Sequence, residues 1–400
     1  MSETATTRPS YDRRMVGWLS LAQLITWGSV FYTFALLLEP VERELGMSRA
    51  QSSLAFSLAL FAEGLAAYPI GRWIDRGHER AVMTGSSLLV GACLIAHSFI
   101  DSVALFYVVW IALGIGLAGT LYSPVFAVVT RRFPHDFRRA IITLTFLGGL
   151  ASTVFIPLSH FLIEAMGWRH ALWVLAALHF LICAPLHATQ LRGAPGKAVS
   201  SGAAASHPPS VYLRSAPFLL LGVFAVGMMG VTSALPPHMI SLLRGTGLGE
   251  AWVVAIPASI GVLQVFGRLL LYFFEHHFDL HLANRVIPML IPLGLGALMV
   301  GAGHPWAAVL FVVLYGLGNG MMTIVKGTAV AQYVNREHVA SLNGALGVPI
   351  AMARALAPFL MGALWTAEAG YRWGLWLMLG VSFVSVLALV LAQKRSLVPA

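Results

Sequence analysis

Charge is what this sequence has least of. Of its 400 residues only 10% are charged and 58% are apolar, with a mean hydropathy of +0.80; soluble domains carry about 25% charged residues and 45–50% apolar ones. Too little polar surface exists to face water, which excludes a cytosolic enzyme and a disordered chain. Cysteine is almost absent. Cys93 and Cys183 both fall inside apolar runs, where they read as small buried hydrophobes, not as a disulfide or metal pair. No P-loop, H-E-x-x-H, aspartate cluster or G-x-S-x-G elbow occurs, so neither ATP drive nor hydrolytic chemistry is expected, and no cofactor. Met1–Arg14 lacks a basic segment running into a short apolar core, and no removable signal is expected there.

What is plentiful points to lipid. Glycine (39 residues) and tryptophan (11 residues) suit close-packed membrane helices and interfacial aromatic belts. A helix needs about 20 apolar residues to cross roughly 30 Å of hydrocarbon. Apolar runs supply twelve such spans: 15–38, 50–70, 81–100, 104–129, 139–165 and 169–190, then 216–242, 249–274, 285–302, 305–331, 339–365 and 371–392. Between the two sets, residues 191–215 carry Gly193, Pro195, Gly196, Pro208 and Pro209 amid Ser and Ala and read as a flexible linker. The expected organisation is a tail (1–14), a six-helix bundle (15–190), the linker, a second six-helix bundle (216–392) and a tail (393–400).

The net charge of +9 is spread through short loops, not gathered on one face, which argues against a nucleic-acid partner. Its placement sets orientation instead. With the N-terminus inside, Arg43, Arg49, Arg169, Arg244 and Arg372 are the loop cations on the outer side, and all the other loop cations are cytoplasmic. The positive-inside rule then requires an even number of spans and both termini in the cytoplasm. A multi-pass protein of the cell (inner) membrane is expected, monomeric in the bilayer.

The halves repeat at an offset of about 200 residues. Gly167-Trp168-Arg169-His170-Ala171-Leu172-Trp173 echoes Gly370-Tyr371-Arg372-Trp373-Gly374-Leu375-Trp376, and Leu113-Gly114-Ile115-Gly116 echoes Leu317-Gly318-Asn319-Gly320. Parallel six-helix repeats are the architecture of alternating-access carriers, with a cavity between the halves.

The segment after the second span reads Gly71-Arg72-Trp73-Ile74-Asp75-Arg76-Gly77-His78-Glu79-Arg80. It resembles the G-x-x-x-D-R-x-G-x-R signature of the major facilitator superfamily, shortened by about one residue before Arg80. With the spans and the repeat, the resemblance covers essentially the whole chain. It implies an all-α membrane fold of two pseudo-symmetric six-helix bundles and a gating motif of Gly71, Asp75, Arg76, Gly77 and Arg80. In the superfamily the aspartate locks the cytoplasmic side. Here Asp75 is expected at the N-terminus of the eleventh helix, whose free N–H groups favour an anion. Arg76 and Arg80 are expected to pair with nearby acidic groups or lipid phosphates. After the eighth helix the motif has decayed: Gln264, Arg268, Tyr272 and His276 stand where Glu63, Ala67, Gly71 and Asp75 stand in the first half.

Four charged residues lie deep in the spans: Glu63, Arg268, Lys326 and Arg354. Such residues are costly in lipid and normally face the interior of the bundle or a wet cavity. At 1.5 Å per residue, Glu63, Arg268 and Lys326 share a level roughly 10 Å from the cytoplasmic ends, and Arg354 lies deeper. One carboxylate against three cations calls for an anionic substrate. Arg268 offers a planar fork for an oxyanion and Lys326 a point charge. Leu263-Gln264-Val265-Phe266-Gly267-Arg268 resembles the eighth helix of monocarboxylate and oxalate/formate carriers, which implies carboxylate binding at Arg268. Gln264 departs from the aspartate of the monocarboxylate group, and with it from that group's proton coupling. The alternatives stay open: Glu63 can be a packing salt bridge, and Arg268 and Lys326 can snorkel to headgroups. The sharper expectation makes Glu63 the proton-sensitive group, titrating when substrate takes its cationic partner.

Trp27 and Tyr32 on the polar face of the first helix, with Tyr122 and Asn319, complete the expected substrate-binding set; Thr145 and Asn343 add polarity. Pro157 and Pro358 are expected to kink symmetry-related helices. His277 and His281, spaced i,i+4, would suit zinc only on a helix, and a loop at the headgroups is the preferred reading. The functional expectation is a proton-coupled carrier of a small organic anion, the alternative an efflux pump for drugs or toxic oxyanions including metalloids, and the remote alternative an intramembrane enzyme or sensor.

Overall fold

In hydrocarbon each backbone N–H and C=O needs a partner within its own segment, which leaves helices as the form for isolated apolar runs. The computed structural model describes residues 12–133, 136–193, 210–274, 280–335 and 339–397. Among them the β-type pairing is confined to one isolated bridge, Thr366 with Gly370. Eleven stretches are long and apolar enough to span. One of these, Arg139–Gln190, has 52 residues, about 78 Å of helix against a core of roughly 30 Å. It is two crossings. The chain turns between them at Gly167 (φ 79, ψ 157), a conformation essentially reserved for glycine.

Among the described residues twelve membrane-crossing helices follow. In the first half α1 is Arg13–Leu45, α2 Arg49–Trp73 and α3 Glu79–His97. Helix α4 is Val103–Ala118, resuming at Tyr122–Arg132. Helix α5 begins as Phe137–Gly149 and continues over 151–166, and α6 is 168–190. In the second half α7 is Ala216–Gly245, α8 Glu250–Phe274 and α9 Leu280–Val300. Then come α10 Pro305–Tyr333, α11 Val339–Ala363 and α12 Arg372–Lys394. Most of the 191–215 segment lies outside the described residues.

Local chemistry sets the ends. Asp12 caps α1 through the N–H groups of Arg14 and Met15, and Ser48 forms a capping box with Gln51 at α2. The repeat is written in the turns as well. Gly46 and Gly247 take positive φ between α1–α2 and α7–α8, and Gly167 and Gly370 do so between α5–α6 and α11–α12. Glycines on α4 and α10 do matching work: Gly114 leaves room for the backbone of Ala59 on α2, and Gly320 for that of Gln264 on α8. Helix α1 carries a π-helical stretch at Trp27–Tyr32, a feature frequent at functional sites.

Each half has its own apolar core: Phe34, Phe56, Phe106 and Trp110 in the first, Phe224, Phe311, Tyr315 and Tyr333 in the second. The bundles pack together at the ends away from the termini. Ser57 Oγ accepts from the Phe359 N–H at 3.0 Å, Ser53 lies against Gly362, and Gly64 faces Ala351. One turn further along the same faces, Tyr68 is 72% and Val348 70% exposed. Between α5 and α8, Thr153 Oγ1 donates to the Ala258 carbonyl at 2.6 Å, whereas Ile142 and Phe273 near the other ends are exposed. The halves are therefore closed on the face of the α1–α2 turn and splayed on the face of the termini.

Candidate functional site

The crevice between the splayed halves ends where the deep charges sit. Arg354 Nη2 on α11 lies 3.6 Å from Glu63 Oε2 on α2, an ion pair with one partner from each half. Counting along the sequence places Arg354 deeper than Glu63, and this is corrected: α2 runs past residue 70 to Trp73 and on into a π turn, which deepens Glu63 to the level of its partner. Arg268 also joins the halves. Its Nη1 donates to the Thr145 carbonyl of α5 at 2.6 Å and its Nε to the Gly320 carbonyl of α10 at 3.3 Å. Turned inward to these carbonyls, the guanidinium does not snorkel.

Tyr32 and Tyr122 stand close enough to Arg268 for its charge to act on them. The Trp27 ring lies 5.2 Å from that of Tyr122, which stacks on Phe126, and Gly148 makes room for the Tyr122 hydroxyl. The Trp27 Nε1 donor is buried with no hydrogen-bond partner among the described residues, a cost that structure normally avoids. Above Arg268 the crevice narrows to a void of about 20 Å³ lined by Tyr32, Gln264, Tyr315 and Asn319, room for about one water. Of the expected set, Arg268, Tyr32, Tyr122, Trp27 and Asn319 thus gather around one axis. Lys326 faces elsewhere, into a cavity between α7, α10 and α11. Gln264 belongs with the axial group and was visible in the sequence only as a departure from a motif.

The closed face carries a polar latch that sequence reasoning missed. Arg49 at the start of α2 pairs with Glu42 at 3.1 Å and Glu39 at 3.9 Å in its own half. Across the interface it donates to the Tyr371 hydroxyl at 3.1 Å and lies over the Trp365 ring at 5.3 Å. Tyr371 meets His238 Nδ1 at 3.0 Å, and His238 Nε2 meets the Pro358 carbonyl at 2.9 Å. A carbonyl can only accept, so Nε2 carries the proton, Nδ1 accepts from the Tyr371 hydroxyl, and the hydroxyl lone pairs are left for Arg49. Burial holds the Tyr371 phenol above its ordinary pKa, so it keeps that proton. Arg244 on α7 bridges Glu39 of the first half and Glu250. The available signals were His238 in the middle of an apolar run and Tyr371 where the repeat has Trp168. Trp168 Nε1 instead donates to Glu44 of its own half at 3.0 Å.

On the opposite face, Gly77 of the α2–α3 motif takes φ 90, which explains a glycine at that place. Arg80 Nε donates to the Ala188 carbonyl at 2.7 Å, and Arg76 is exposed. The buried acid is Glu79, overlooked in the sequence, which holds Arg132 (2.6 Å) and Arg131 (3.6 Å) from the end of α4. The Asp75 side chain lies outside what the structure describes, as does His277. Among the described residues no group of three or more His, Cys, Asp or Glu is arranged to hold a metal.

Comparison with known proteins places this geometry. Residues 19–299 match the family model described as Major Facilitator Superfamily. A 308-residue stretch is 27% identical to Monocarboxylate transporter 13 of Bos taurus, covering 70% of this chain and 68% of that protein. Among solved structures, a bacterial homologue of the human lysosomal transporter Spinster, inward-facing and unoccupied, superposes with TM-score 0.71 at 17% identity, over 98% of this chain and all of that one. The nucleoside transporter NupG, as a point variant, gives TM-score 0.75 at 16% identity over 94% and 98%. At such identities the structural likeness speaks for the fold.

Proposed function

This chain belongs to the major facilitator superfamily, and on that premise we propose that it carries a small organic anion of the monocarboxylate kind by alternating access, coupled to protons. The observation that supports this most is the pairing of charges. Glu63 is committed to Arg354, and among the described residues no carboxylate pairs with Arg268 or Lys326. Membrane-buried cations are costly alone and are relieved by an anion from the crevice. Arg268 supplies the fork, with the buried Trp27 donor and the phenols of Tyr32 and Tyr122 offering hydrogen bonds beside it, and Lys326 supplies a second cation in its own cavity. The 27% identity to a monocarboxylate transporter favours the same class of cargo.

Coupling follows from the ion pair. A carboxylate arriving near Arg354 competes with Glu63 for the guanidinium, and a proton on Glu63 then keeps the charge balanced. By the positive-inside rule the splayed face is cytoplasmic, so the state described is open to the cytoplasm. The bundles 15–190 and 216–392 rock as units about the linker, and Asp75 meets the α11 N-terminus when the cytoplasmic face closes.

Counterflow in proteoliposomes tests this, with labelled pyruvate, lactate, phenylpyruvate and oxalate alongside the hydrophobic cation tetraphenylphosphonium. Exchange of monocarboxylates that falls at least tenfold in Arg268→Gln is expected. Exchange of tetraphenylphosphonium alone, unaffected by that substitution, would replace the proposal with drug efflux.

A further inference from the structure

Between α7, α10 and α11 the second half lines a partly open cavity of about 340 Å³. Leu221, Phe224, Ala225, Ala329, Val330 and Ile350 are among its walls, each more than 90% buried. Protein interiors pack as densely as organic crystals, and lining atoms that face empty space forfeit their dispersion contacts. A cavity less than half this size, about 150 Å³ with Leu, Ile and Phe walls, takes up benzene. An apolar group that fills such a space gains those contacts.

Its polar lining is Lys326 and Asn343. Lys326 stands on the same stripe of α10 as Ala329 and Val330, and Asn343 on the same stripe of α11 as Gly347 and Ile350. The next position on the α11 stripe is Arg354, near enough for its charge to act on Lys326. Arg354 is itself paired with Glu63, which leaves Lys326 as a cation with no carboxylate paired to it among the described residues.

We infer that this cavity receives the apolar body of the cargo while Lys326 holds its carboxylate, so that the carrier selects monocarboxylates bearing a phenyl ring or a medium alkyl chain. The inference rests on the anion-carrier reading and names the substrate class within it. A dicarboxylate is excluded because its second charge would meet an apolar wall with no partner. Pyruvate-sized anions bind poorly because they leave the cavity empty. Each added methylene that enters it strengthens binding about fourfold.

A series of 2-oxo acids with one constant head group tests this by competition against labelled pyruvate counterflow. From pyruvate to 2-oxohexanoate, three methylenes longer, the half-inhibiting concentration is expected to fall roughly 50-fold, with phenylpyruvate similarly strong. The dianion 2-oxoglutarate, of nearly the same length, is expected to compete no better than pyruvate. Ala329→Leu and Ala225→Leu, which fill the cavity, should cut the chain-length gain to under about fivefold. That gain is a ratio within each variant, so a lower yield of folded carrier cancels, and the wild-type series needs no variant at all. A flat series, a 2-oxoglutarate as potent as 2-oxohexanoate, or a gain that survives both substitutions would overturn the inference. If pyruvate counterflow still depends on Arg268 in those cases, the carrier reading stands without the cavity. If no 2-oxo acid competes, both fall.

Discussion

Removing one oxygen from the closed face should open it. Tyr371→Phe keeps the ring and its contact with Arg49 but deletes the hydroxyl that accepts from Arg49 at 3.1 Å and meets His238 at 3.0 Å. Tyr371 and His238 both belong to the second half, so their bond persists however the halves move and does not bias the conformational equilibrium. The Arg49 bond crosses the interface and exists only when this face is closed. A hydrogen bond to a charged group contributes about 1.5–3 kcal/mol. Arg49 keeps Glu42, Glu39 and the Trp365 face and is slightly exposed, so the lower end applies. About 1.5 kcal/mol corresponds to a shift of roughly tenfold between the two states. Spin labels at Asp101→Cys and His304→Cys, in exposed loops of the two halves on this face, report the opening by double electron–electron resonance, with the buried Cys93 and Cys183 replaced by Ser. The long-distance population should rise about tenfold in Tyr371→Phe. An unchanged distance distribution would refute the latch, because no other interaction is altered between the halves.

Further outcomes follow from the same geometry. Glu63→Gln removes the carboxylate facing Arg354 and should flatten the pH dependence of pyruvate counterflow; equal pH profiles in variant and wild type would remove Glu63 as the proton-sensitive group. Glu79→Ala leaves Arg131 and Arg132 without their buried carboxylate and should lower stability by about 3 kcal/mol, read as an earlier unfolding transition in detergent. Gly167→Ala forces a side chain into a conformation essentially reserved for glycine, costing about 1–3 kcal/mol, whereas Ala substitution at Gly17, with open space and helical φ, should be neutral or slightly stabilising.

The fold was legible because lipid leaves few choices. Hydropathy marked the spans, and the Gly-Trp-Arg and Gly-Tyr-Arg echoes marked turns where Gly167 and Gly370 both take positive φ. The periodicity of one sequence does not reveal helix irregularities: the π stretch at Trp27–Tyr32 and the break at Gly119–Leu121 in α4 leave apolar composition unchanged. Site residues were legible where a charge is expensive, which is why Glu63, Arg268, Lys326 and Arg354 stand out in apolar runs. Their partners were not. Arg268 bonds to backbone carbonyls, which every residue type supplies, and the Glu63–Arg354 pairing depends on where α2 ends. The latch drew on loop residues such as Arg49 and Tyr371 that read as ordinary topology signals, and Glu79 was hidden beside the better-known positions of its motif.

Equilibrium binding to the purified protein weighs the whole proposal at one stroke. Phenylpyruvate titrated by calorimetry into wild type, Arg268→Gln, Lys326→Gln and the double variant in nanodiscs should give saturable binding, weakened at least tenfold by each single change and lost in the double. Undiminished binding in the double variant would mean that these cations do not hold the anion.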